Sequence, residues 1–261
     1  MGTVAHILVT NDDGVLAPGL LALKQALERI GQVTVIAPER SWSAAGHTKT
    51  MHKPLRIWPV TLADDSPAYA TSGTPSDCVG LAVLKAIPVQ ADLVVSGINR
   101  GANLGSDITY SGTVAAAMEA VVAGLPALAV SLDTNAEDAD YRPAAQITAR
   151  LAAQVLQRGL PPNTLLNVNV PYLPLEGIKG VRITRLGRRV YRDVLIVRDD
   201  PRGQPYYWIG GDPPIGVPED GTDVGALAQG CVSVTPLTMD MTAYPMLNEL
   251  REWDLTLDWW R

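Results

Sequence analysis

A chain of 261 residues with 47% hydrophobic content can bury a full core, as one large domain or one domain with an appendage. Its formal net charge of −6 supplies no basic field, which argues against duplex nucleic acid as a partner but leaves a metal site free to take a single phosphate. Cys78 and Cys231 lack zinc spacing and form no disulfide framework, and the chain has neither a secretory leader nor an apolar run of membrane-spanning length, so a cytoplasmic protein with no membrane partner is expected.

Residues 4–10 read as a buried strand, followed at once by Asn11, Asp12, Asp13 and Gly14. Residues 18–30 have the pattern of an amphipathic helix that begins at Pro18 and ends at Gly31. A strand over 33–37 follows. Thr74, Pro75 and Asp77 form a helix start for residues 75–86, with Thr74 as cap and Asp77 reaching back. The alternation continues with a strand over 93–96, a helix over 113–123, a strand over 127–131, a helix over 144–157 and a strand over 165–170. Strands alternating with helices imply parallel βαβ units. Beyond Lys179 the pattern changes. Residues 181–196 and 206–209 are strand-like and joined by a turn-rich segment at 199–203, which predicts a projecting hairpin. Residues 210–225, rich in Gly, Pro and Asp, read as a long loop. The terminal stretch 244–261 crowds Leu247, Leu250, Trp253, Leu255, Leu257, Trp259 and Trp260 into a tail whose apolar surface needs a cover.

Three loops follow strand ends, where open α/β sheets bind ligands. In the first, Asp12 and Asp13 are adjacent carboxylates. They repel unless water or a hard cation such as Mg²⁺ or Mn²⁺ neutralises them, although Asp-Asp-Gly also suits a plain turn. In the second, residues 96–105 are glycine-rich and lead to Ser111, Gly112 and Thr113 at a helix head, where free N–H groups and hydroxyls suit an anion; a capped glycine loop without a ligand looks the same. The Gly-Lys-Ser/Thr ending of a Walker loop is missing. In the third, residues 37–47 carry Ser41 and Ser43, hydroxyls able to ligate a hard cation, and His47, a proton donor or a surface residue.

The stretches ILVTNDDG, VIAPERSWSAAGH, SGTPSDCV, SGINRGANLGSDITYSGTVAAAMEA and PLTMDMT, spread over most of the chain, resemble the SurE survival-protein family of metal-dependent 5′-nucleotidases. The resemblance implies a Rossmann-like three-layer α/β sandwich with a mostly parallel sheet, plus a projecting β-hairpin and a C-terminal arm. The expected division is a catalytic core over 1–180, a hairpin extension over 181–243 and an arm over 244–261, with the subunit a homodimer or homotetramer through hairpin and arm. It implies one divalent ion per subunit, Mg²⁺ or Mn²⁺, on Asp12, Asp13, Ser43 and Asn99, and phosphate contacts from Asn103, Ser111, Gly112 and Thr113. The implied reaction removes phosphate from nucleoside 5′-monophosphates, with 3′-nucleotides and short polyphosphate as further substrates. Phosphate-monoester hydrolysis needs on the order of 20 kcal/mol of barrier lowering, which a helix terminus alone does not supply. Asp12 and Asp13 are therefore the expected catalytic pair, with Asp12 taking a proton from the attacking water. The rival readings are a non-catalytic nucleotide-binding regulator and a metal-dependent nucleotide-sugar transferase. Residues 51–70 vary in such proteins, so base preference does not carry over.

Overall fold

The computed structural model describes residues 4–255. In chain order its elements are β1 (His6–Thr10), α1 (Pro18–Leu27), β2 (Gln32–Pro38), β3 (Ile57–Thr61), β4 (Pro67–Thr71), α2 (Pro75–Val83), β5 (Leu93–Arg100), α3 (Gly112–Val122), β6 (Ala127–Asp133), α4 (Arg142–Arg158), β7 (Thr164–Pro171), β8 (Val181–Ile183), β9 (Arg188–Asp199), β10 (Pro205–Val217), α5 (Asp223–Ala228), β11 (Val232–Thr238) and α6 (Tyr244–Arg251), with short 3₁₀ turns at Gly105–Thr109 and Leu175–Gly177. Among the described residues, one sheet has nine strands in the order β3-β4-β2-β1-β5-β6-β7-β11-β8, and β9 pairs with β10 as a separate ribbon. The strands from β4 to β7 are mutually parallel, while β3 and β11 run against their neighbours β4 and β7.

Alternation along the buried strands divides the core into two layers. Ile7 and Val9 of β1 pack with Leu20, Leu23 and Leu27 of α1 and Ala145, Ala152 and Val155 of α4. Leu8, one residue out of phase, faces the opposite side with Val79 of α2 and Val114 and Ala117 of α3. Helices cover both faces of a mostly parallel sheet, so the three-layer α/β architecture expected from the sequence is the one observed. The expected cap of α2 is also present: Thr74 Oγ1 accepts from the Asp77 N–H at 3.1 Å, and Asp77 Oδ2 accepts from the Thr74 N–H at 2.9 Å.

The structure corrects several expected bounds. β5 continues past Ser96 to Arg100, and its register with β6 shifts between Ser96 and Asn99. The segment expected as one strand over 181–196 is two: β8 joins the main sheet beside β11, and β9 starts the ribbon after Gly187. Residues 210–225, expected as a loop, supply the second half of β10 and the start of α5. The hairpin of β3 and β4, and β11, are further strands that the sequence pattern does not mark. Both cysteines are free and buried. Leu257, Trp259 and Trp260 lie outside the described residues.

The chain moves from β1 to β2 on one side of β1 and later places β5 on its other side, so the strand order reverses between β1 and β5. A crevice at such a switch point is the favoured ligand site of an open α/β sheet.

Candidate active site

The first turn is built by Asn11. Its Nδ2 donates to the Gly14 carbonyl at 3.0 Å and its Oδ1 accepts from the Gly14 N–H at 3.2 Å, closing the turn that presents Asp12 and Asp13. Gly14 has φ 108°, a conformation in which side-chain-bearing residues are strained. Asp12 is buried, and its Oδ1 accepts from the Thr113 hydroxyl at 2.5 Å. Burial, with Asp13 adding repulsion, raises its carboxyl to about 6 against the hydrogen bond from Thr113. Asp13 is also raised by burial, while the Arg100 N–H, 3.2 Å from Oδ2, pulls the other way.

The loop carrying Ser43 is tied to this turn. The Trp42 N–H donates to the Asp12 carbonyl at 2.8 Å, and the Gly46 N–H to the Tyr110 carbonyl at 2.9 Å. Ser43 Oγ lies 2.9 Å from Ser41 Oγ. His47 does not line the crevice; its Nε2 lies 3.0 Å from Oε2 of the buried Glu119 on α3, which also pairs with Lys49 at 2.7 Å. His47 thus fastens the serine loop to α3 in this structure. Asn99, near the end of β5, donates from Nδ2 to the Gly101 carbonyl at 2.7 Å, which leaves its Oδ1 to a ligand.

Asp12, Asp13, Ser43, Asn99, Asn103 and Ser111 all line one cavity of about 620 Å³, within the usual range for a small-molecule site. Six of the eight residues named from the sequence therefore converge. Gly112 and Thr113 sit behind Asp12 instead. The Thr113 hydroxyl, expected on phosphate, is spent on the Asp12 carboxylate and is fully buried, so its observed contact is to the carboxylate. Ser111 caps α3 by accepting from the Val114 N–H at 3.1 Å, which leaves its hydroxyl proton for a ligand. Asn103 is held by Asn167 and Asn169, whose amides donate to its carbonyl, and its own Nδ2 donates to Ser131 Oγ at 2.7 Å.

The donors facing the cavity are two carboxylates, an amide oxygen and a hydroxyl, an all-oxygen set suited to a hard cation. Among the described residues no group of three His, Cys, Asp or Glu residues comes together to hold a metal, so such a cation would depend on the neutral oxygens of Ser43 and Asn99. The set fits the ion: two neighbouring carboxylates are drawn together, and their N–H and O–H partners with the Arg100 charge near Asp13 offset burial only in part.

Residues that went unnamed in the sequence also line the cavity: Asp107, Glu137, Tyr141, Arg189 and Pro214. Arg189 and Pro214 come from the base of the hairpin, far from the glycine-rich loops in sequence. The buried Asp223 links these parts. Its Oδ2 accepts from the Gly105 N–H at 2.8 Å and its Oδ1 from the Gly187 N–H at 2.7 Å. The pair Thr222-Asp223 ahead of an apolar run was a usable helix-start signal inside the segment read as loop.

A family model described as "Survival protein SurE" matches residues 7–193. The chain is 54% identical to a 5′-nucleotidase SurE of Chloroflexus aggregans over 251 residues, 95% of this chain and 99% of that one. It is 57% identical to the corresponding protein of Herpetosiphon aurantiacus over 246 residues, 94% and 96% of the two chains. The crystal structure of the SurE protein from Aquifex aeolicus is similar to it at a TM-score of 0.80 and 40% identity, covering 94% of this chain and 98% of that one.

Proposed function

This chain belongs to the survival protein SurE family, and on that premise we propose that it is a 5′-nucleotidase, a hydrolase that releases phosphate from nucleoside 5′-monophosphates in a metal-dependent reaction. The observation that carries the reading is the meeting of Asp12, Asp13, Ser43, Asn99 and Ser111 on one cavity at the strand-order switch. In this proposal one divalent ion, Mg²⁺ or Mn²⁺, is held by Asp12, Asp13, Ser43 and Asn99, and when bound it supplies Lewis-acid polarisation of the phosphoryl group.

The chain's own residues do the rest. Asp12 accepts the proton of the attacking water at its carboxylate, which Thr113 orients through Oδ1. Ser111, Asn103 and the Gly112 N–H hold the phosphoryl oxygens, in a site where fixed donors act more strongly than in water. Asp13 stays a ligand, kept in place by the Arg100 N–H.

The proposal extends to 3′-nucleotides and short polyphosphate as additional substrates, and to a cytoplasmic homodimer or homotetramer joined by hairpin and arm around the core of residues 1–180. Supporting the assembly, Leu195, Trp208 and Ile209 of the ribbon are largely exposed. No helix among the described residues is long and apolar enough to cross a membrane.

The test is release of inorganic phosphate from AMP, GMP, 3′-AMP, tripolyphosphate and p-nitrophenyl phosphate with Mg²⁺ or Mn²⁺, and again with EDTA. Release that stops in EDTA and resumes with the metal is expected. A non-catalytic regulator or a nucleotide-sugar transferase would release no phosphate from AMP.

A further inference from the structure

Arg189 lies at the start of the hairpin, a segment proposed above to serve assembly, yet it lines the same cavity as Asp12 and Asp13. Its place is tightly determined. Nε is 2.8 Å from Asp107 Oδ2, an ion pair in which the buried N–H is not aligned on the oxygen, and the two side chains are 16% and 19% exposed. The Tyr191 hydroxyl donates to the same Asp107. Asp223 fixes the backbone at Gly187 to the backbone at Gly105, and a Cβ on Gly105 would lie 3.1 Å from Arg189 Cγ, so the glycine leaves the room that the arginine stem occupies. Asp133 lies within the arginine's field: burial raises its carboxyl and the Arg189 charge offsets part of that rise.

The guanidinium pairs directly with Asp107, and Asp133 lies in its field without an ion pair, so its net attraction for a phosphate is reduced. It still keeps N–H donors at its terminal nitrogens, because the closest contact to Asp107 is through Nε. The phosphate end of the cavity has its own donors in Ser111 and Asn103. What remains for Arg189 is an uncharged ligand portion rich in acceptors.

We propose that Arg189 is a substrate-contacting specificity residue that donates hydrogen bonds to acceptor atoms of the nucleoside, ribose oxygens or base heteroatoms, with Asp107 as its positioning partner. The inference rests on the nucleotidase reading and deepens it, placing the nucleoside against the hairpin base.

The experiment compares wild type with Arg189→Gln and Arg189→Lys on AMP, GMP and p-nitrophenyl phosphate, and measures adenosine binding by calorimetry in EDTA. Loss of hydrogen bonds to neutral acceptors predicts about a tenfold fall in kcat/KM for both nucleotides in Arg189→Gln, carried mainly by KM. Turnover of p-nitrophenyl phosphate should stay within twofold, and adenosine should bind about tenfold more weakly. Arg189→Lys, which keeps charge and stem but loses the fork, should lose part of the same nucleotide preference. An equal fall on p-nitrophenyl phosphate would place Arg189 at the phosphoryl end or in structure, and unchanged nucleotide KM with unchanged adenosine binding would remove it from the site; either overturns the proposal. If wild type releases no phosphate from AMP, the nucleotidase reading fails, and the adenosine arm still decides whether Arg189 contacts a nucleoside.

Discussion

Gly112 leaves the space that Asp12 fills: a Cβ built on Gly112 would lie 2.7 Å from Asp12 Cβ and 2.9 Å from its Oδ2. The glycine serves close approach between the first turn and the head of α3. Gly112→Ala should therefore displace Asp12 or push α3 away, costing about 1–3 kcal/mol of stability and at least about a hundredfold in kcat. Circular-dichroism melts and initial rates on the same preparation check both, and full activity in a folded Gly112→Ala variant would show that the approach is not needed.

Asp12 carries a charge that the folded protein disfavours when no cation is present. Its carboxyl is raised to about 6, above the ordinary 3.8, so the stability tied to its neutral form is fully present below about pH 4 and is lost as pH rises through 6. Asp12→Asn keeps an acceptor for Thr113 and removes the charge. In EDTA at pH 8 the variant should be more stable than wild type by about 1–3 kcal/mol, and this advantage should shrink toward pH 4. Phosphate release should fall by several orders of magnitude. Thermal melts at the two pH values test the sign.

Ser111 and Thr113, two residues apart, should fail differently. Ser111→Ala removes both the cap of α3 and a cavity hydroxyl, so inhibition by phosphate or vanadate should weaken about tenfold, with a stability loss of about 1 kcal/mol. Thr113→Val removes the hydrogen bond to Asp12 and leaves the cavity wall unchanged. Turnover should drop while phosphate inhibition stays near its wild-type value. Equal weakening of inhibition in both variants would place the Thr113 hydroxyl on the phosphate after all.

The difference between these two residues marks how far the sequence could be read. Alternating apolar runs exposed β1, β2, β5, β6 and β7 because buried parallel strands are nearly continuous in hydrophobic side chains. The cap at Thr74 was legible because its partners are local. The second half of β10 was not: Pro213 and Pro214 sit where the pairing with β9 shifts register between Asp212 and Ile215, so a composition typical of turns occupies a strand irregularity. The segments carrying Asp12, Asp13, Ser43 and Ser111 were legible as loops after strand ends, whereas Asn99, named through the family resemblance, lies within β5. Which way Thr113 points, and that Arg189 reaches the cavity, depend on packing between segments remote in sequence.

Asp64, in the turn between β3 and β4, should anchor α1 in a pH-dependent way. Hydrogen bonds from Ser66 first, and then from Lys24 and Gln25, hold its carboxyl well below the usual carboxylate range; Lys24 Nζ is 2.9 Å from Oδ2. A depressed folded value means that the contribution is present above about pH 4 and lost as pH falls further. Because the side chain is partly open to water, Asp64→Asn should cost only about 1 kcal/mol at pH 7. The cost should shrink progressively as pH falls below about 4 while both proteins remain folded, and a pH-independent difference would assign the effect to hydrogen bonding alone.

Helix α6 has no buried residue among those described, and Tyr244, Trp253 and Leu255 are more than half exposed. A tail that folded back on its own core would bury at least one stripe of this helix; in the proposed assembly the cover comes from another subunit. The ribbon adds a second uncovered surface, with Ile209 at 80% exposure and Trp208 at 63%. In a symmetric assembly each surface would find its cover in a second copy. Truncation after Ala243 and the ribbon variant Trp208→Asp with Ile209→Asp should each lower the mass found by size-exclusion chromatography with light scattering, whereas the full chain should be at least dimeric. If truncation alone abolishes association, the arm holds the dimer and the ribbon at most joins dimers into tetramers; if only the ribbon variant does, the ribbon is the dimer contact. A full-length chain that stays monomeric at micromolar concentration would remove the exchanged arm and leave both surfaces without a partner of the same kind.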